Sequence, residues 1–105
     1  MGKYTVYGEV CFNDQDGTEW NADVELNEEQ ARNLQKLIIF NCDIDVERLC
    51  LKETFPDIYD ILDKACYKAT LDTYNEYLRS NGKSEVDKLD FKHEVNVPYE
   101  FQELF

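Results

Sequence analysis

The sequence predicts an α+β domain of two layers. A three-stranded antiparallel sheet, made of an N-terminal hairpin and a C-terminal strand, packs against two main helices in the order β-β-α-(α)-α-β. Three observations lead there. Two early segments alternate polar and apolar residues around a Gly-containing loop, and a late segment, Leu89 to Val97, alternates in the same way. Between them, Thr54 to Gly82 carries apolar side chains at steps of three and four, the stripe of a long amphipathic helix. Residues 1–105 show no repeat, low-complexity tract or linker, so they read as one domain.

In the first segment, Tyr4, Val6, Val10 and Phe12 face one way, with Gly8 between them, and Thr5, Tyr7, Glu9 and Cys11 face the other. Residues 13–17, NDQDG, form a turn by composition. Trp20, Ala22, Val24 and Leu26 then point inward, with Glu19, Asn21, Asp23 and Glu25 outward, which completes a hairpin. The loop fails as a calcium site. With Asp14 and Asp16 at the third and fifth ligand places, Phe12 takes the first and Asp23 the twelfth, where Asp and Glu are required. No metal and no cofactor are expected.

Asn27 caps the next helix and Gln30 reaches back to it, with Ala31, Leu34, Leu37, Ile38 and Phe40 inward and Asn41 at the end. Leu26 and Ala31 suit a hydrophobic staple across that start. Asp45 is expected to cap a short helix through Leu49, burying Ile44, Val46, Leu49 and Leu51. Pro56 opens the long helix, Thr54 or its neighbour caps it, and Asp57 and Asp60 complement its dipole. Its stripe comprises Ile58, Ile61, Leu62, Ala65, Cys66, Ala69, Tyr74, Tyr77 and Leu78, and Asn81-Gly82 ends it. Asp57, Asp60, Asp63 and Lys64 form a solvated face with an Asp60–Lys64 pair, repeated by Lys68 and Asp72. In the last strand, Leu89, Phe91, His93, Val95 and Val97 face inward and Pro98 stops the ladder. A final helical turn within Tyr99 to Phe105 lays Phe101, Leu104 or Phe105 on the core.

No apolar run reaches the roughly 18 residues that cross a bilayer, and residues 1–3 lead directly into strand-like sequence. A cytoplasmic, soluble protein is expected. Its four cysteines lack CxxC spacing and read as free thiols, Cys66 on the apolar stripe. His93, the single histidine, reads as a packed, hydrogen-bonded residue. There is no nucleophile motif and no Gly-rich phosphate loop, so no enzyme is expected.

Charge is the informative total. The chain holds 23 acids and 11 bases, a formal net of −12, which argues against direct binding of nucleic acid or an anionic membrane. Residues 1–29 contribute −7 of this, through eight acids against Lys3. Alternate carboxylates on a strand lie about 6.8 Å apart. That spacing approaches the separation of phosphates along an extended nucleic-acid strand, whose rise is roughly 3.4 Å per nucleotide.

The expectation is a binding protein without catalysis, an inhibitor or adaptor that docks on a basic surface of a larger protein such as a nuclease or nucleic-acid-binding protein. Anti-CRISPR proteins of phages and immunity proteins against nuclease toxins work in this general way, although no motif places the chain in either group. The candidate partner-binding residues are Tyr7, Glu9, Asp14, Asp16, Glu19, Asp23, Glu25, Glu28 and Glu29. The alternative is a structural subunit or homo-oligomer that buries an apolar edge or the 99–105 segment, with the acids serving solubility.

Overall fold

A computed structural model describes residues 2–12 and 17–103. Asp14, Asp16, Leu104 and Phe105 lie outside the described residues, as does most of the hairpin turn. The architecture is α+β. Strands β1 (Gly2–Val10) and β2 (Thr18–Leu26) pair antiparallel, followed by helices α1 (Glu28–Asn41), α2 (Leu51–Thr54), α3 (Pro56–Ser80) and α4 (Tyr99–Gln102).

The hairpin obeys its alternation. Val6, Val10, Phe12, Trp20, Val24 and Leu26 are buried, while Glu9, Glu19, Asn21, Asp23 and Glu25 are exposed. Gly8 faces Trp20 across the ladder, and a Cβ there would collide with the indole. The large ring therefore fits flat against the sheet because its partner has no side chain. Phe12 stacks on Tyr77 of α3 at 4.3 Å and 10°, tying the end of β1 to the C-terminal half of that helix.

Helix α1 begins with the predicted capping box: Gln30 N–H donates to Asn27 Oδ1 at 2.8 Å, and Asn27 N–H to Gln30 Oε1 at 3.1 Å. It ends at Asn41, with Cys42 in the left-handed region at φ 51°. Leu34 and Ile38 are buried, but Phe40 is 87% exposed, against expectation. Two residues after Ile38, it lies about 200° around the helix from that buried side.

The short helix falls later than predicted, at Leu51–Thr54. Asp45 does bond the amides of Glu47 and Arg48, at 2.8 and 3.2 Å, but the chain turns there without forming a helix. Val46, Leu49 and Leu51 are buried as expected, whereas Ile44 remains 36% exposed.

Helix α3 starts at Pro56, with Phe55 in the capping position and no side-chain cap. Thr54 cannot serve, because it belongs to α2. The long helix instead follows directly on the short one, and Tyr59 N–H bonds Phe55 O at 3.1 Å. Ile58, Leu62 and Cys66 are fully buried, with Thr70 continuing the row. Thr70 fits an apolar row because its hydroxyl donates to the Cys66 carbonyl at 2.7 Å. Gly82, at φ 70°, makes the left-handed turn beyond the helix.

The predicted third strand is absent among the described residues, and the sheet has two strands. Residues 89–98 run without a ladder. Val97 is buried and Leu89, His93 and Val95 are half-buried, but Phe91 is 37% exposed. The segment reaches β1 through side chains: Asn96 Nδ2 donates to Tyr7 O at 2.8 Å, and Glu9 N–H donates to Glu94 Oε2 at 3.3 Å. Beyond it, Thr5 N–H donates to both oxygens of Glu100, each at 3.1 Å. These carboxylates and the amide occupy backbone groups that a strand would otherwise pair, so the edge of β1 is covered rather than extended.

Candidate functional site

The bonds from Thr5, Tyr7 and Glu9 to the C-terminal segment fix which residues of β1 point away from β2. Their cross-strand partners, Asp23, Asn21 and Glu19, are therefore non-hydrogen-bonded pairs, in which side chains stand closest. On the wet face, Lys3 lies opposite Glu25, Thr5 opposite Asp23, Tyr7 opposite Asn21 and Glu9 opposite Glu19. The Thr5 hydroxyl donates to Asp23 Oδ1 at 3.3 Å. Glu9 and Glu19 are like charges directly opposed, an arrangement that costs stability.

No salt bridge reaches Glu9, Glu19, Asp23 or Glu25 among the described residues. Arg48, Lys64, Lys68, Arg79 and Lys92 pair instead with Asp43, Asp60, Asp72, Glu85 and Glu47. The predicted Asp60–Lys64 and Lys68–Asp72 pairs are both present, at 2.9 and 2.8 Å. The ion pairs among the described residues thus lie on the helices and loops, and none of them reaches a carboxylate of the hairpin.

Tyr7 is 53% exposed and meets Tyr99 edge to face, with ring centroids 5.9 Å apart. The Tyr99 hydroxyl bonds to the Glu103 carboxylate, which raises its pKa above the ordinary phenol value, as do the negative charges around it. Tyr99 extends the aromatic surface beside Tyr7, and sequence reasoning did not include it. Its separation from Tyr7 by 92 positions leaves no local signal. Glu28 and Glu29 are exposed in the first turn of α1, past the open end of the hairpin. The structure thus groups Tyr7, Glu9, Glu19, Asp23 and Glu25 on one surface.

A second feature is a cleft of about 680 Å³ lined by Glu9, Glu47, Tyr59, Asp63, His93 and Glu94, among others. His93 Nε2 lies 2.7 Å from Asp63 Oδ1, and its ring stands edge-on to Tyr67 at 5.1 Å. Asp63 therefore leaves the solvated face assigned to it and becomes the partner of the histidine. Neighbouring Cys66 is fully buried, and desolvation pushes its thiol up to about 11. Among the described residues no hydroxyl or thiol is hydrogen-bonded to His93, so the pair lacks the nucleophile of a triad. Nor do three His, Cys, Asp or Glu side chains converge as a metal site among them.

The remaining surface feature is apolar. Ile39, 53% exposed, and Phe40 project with Ile44 around the end of α1. No helix of the described residues is long and apolar enough to cross a membrane. Comparison with protein families, with curated proteins and with solved structures finds no match.

Proposed function

We propose that the chain is a non-catalytic acidic binding protein, an inhibitor or adaptor whose hairpin face docks on a basic, nucleic-acid-binding surface of a larger protein. The observation that carries this reading is the wet face itself. Glu9 and Glu19 stand opposed with no cation paired to either among the described residues, Asp23 and Glu25 continue the row, and exposed Tyr7 lies in its middle. A fold selected only for stability has no use for an opposed pair of like charges. A partner rich in Lys and Arg relieves that repulsion on binding, and an aromatic side chain at the centre is the kind of anchor interfaces favour.

The test is affinity capture from host cells, or from cells expressing candidate nucleases, with the wild-type chain and a Glu19→Lys/Asp23→Lys/Glu25→Lys variant. A partner should be lost at least tenfold in the variant and on raising salt to about 0.5 M, where the Debye length falls to a few ångströms. A polyanion such as heparin should displace it. Capture indifferent to both charge reversal and salt removes this reading.

The exposed Ile39, Phe40 and Ile44 favour a second reading, a structural subunit or homo-oligomer. Val97 and Phe101 of the C-terminal segment are buried in the chain's own core and are not available for such contacts. Light scattering after gel filtration at high micromolar concentration separates the cases, and a strict monomer removes the homo-oligomer.

A further inference from the structure

The two edges of the sheet are treated differently. On β1, the outward Thr5 N–H, Tyr7 carbonyl and Glu9 N–H are taken by Glu100, Asn96 and Glu94. The register makes Glu19, Asn21 and Asp23 the matching outward residues of β2. Their amides and carbonyls have no hydrogen-bond partner among the described residues, and no third strand lies beside them. Exposed strand edges of this kind template pairing with another chain. We propose that the outer edge of β2 takes up an extended segment of the partner as a third strand, basic at alternate positions.

Charge selects the occupant. A strand laid along β2 brings every second side chain beside Glu19, Asn21, Asp23 and Glu25, all exposed on the wet face. A second copy of this chain, pairing β2 with β2 about Asn21, sets Glu19 against Asp23 twice and is repelled. A segment with Lys or Arg at alternate places sets cations against the same row. The inference rests on the reading of the hairpin as an acidic docking surface and adds the backbone geometry by which the partner is held.

The probe is a capped peptide of about ten residues alternating lysine and valine, long enough to span a strand. Titration calorimetry and amide spectra are recorded with the wild-type chain, with the triple charge-reversal variant, and with a peptide N-methylated along one edge. Binding should protect the Glu19, Asn21 and Asp23 amides from hydrogen exchange. Both N-methylation and charge reversal should weaken it at least tenfold.

Equal binding of the N-methylated peptide, without amide protection, overturns strand pairing while leaving the acidic face as a docking surface. Protection of the three amides that survives charge reversal keeps the edge but overturns the choice of a basic occupant. No binding at millimolar peptide overturns the proposal outright.

Discussion

At the scale of single residues, two positions show how narrowly side-chain volume and solvation are set. Gly8 lets the Trp20 indole lie against the sheet, and its Cβ site is occupied by that ring. Gly8→Ala should therefore destabilise the chain by about 1–3 kcal/mol, the usual cost of overpacking, as read from the urea midpoint. Cys66 illustrates solvation. Its buried thiol, raised to about 11, stays protonated in the folded chain after the unfolded thiol, near its ordinary value of 9.0, has ionised. The stability this contributes is complete below pH 9, and is lost as pH rises towards the folded value, because only the unfolded state releases the proton. Native alkylation at pH 8 should accordingly modify exposed Cys11, Cys42 and Cys50 and spare Cys66, with Cys66→Ala flattening the loss above pH 9.

At the scale of elements, the covering of β1 is the least expected feature. Glu100→Ala removes the acceptor of the Thr5 amide, a hydrogen bond to a charged group. We expect a loss of about 1–3 kcal/mol and faster hydrogen exchange at Thr5, while the β2 amides are unchanged. How far the elements could be read from sequence follows from what each one depends on. The hairpin and the α1 cap rest on neighbours in sequence: alternation around Trp20, and Asn27 three residues before Gln30. They were legible for that reason. The third strand was misread because Leu89 to Val97 alternates as a strand does, yet alternation reports only which sides are wet. Whether Glu94 and Asn96 offer their backbones or their side chains to β1 is decided across more than eighty residues. A similar distance hid the approach of Tyr99 to Tyr7, and the pairing of His93 with Asp63 crosses 30 residues, also beyond any local pattern. Phe40 failed for a simpler reason, since an apolar residue at a helix end can equally face water.

For the molecule as a whole, the net charge of −12 is unevenly spread, and the unpaired carboxylates of the hairpin repel one another. Salt should therefore raise the urea midpoint by screening that repulsion. Glu19→Gln, which removes the charge facing Glu9, should raise it in low salt by about 0.2–1 kcal/mol and shrink the response to salt. Its affinity for a basic partner should fall, so stability and binding move in opposite directions. Trp20 offers a way to watch the hairpin during such measurements. It is the sole tryptophan, 4% exposed, with an indole nitrogen that finds no acceptor among the described residues. Its fluorescence should thus peak at short wavelength and shift red when the strands part from the long helix, giving an optical record of that separation while far-ultraviolet dichroism follows the helices.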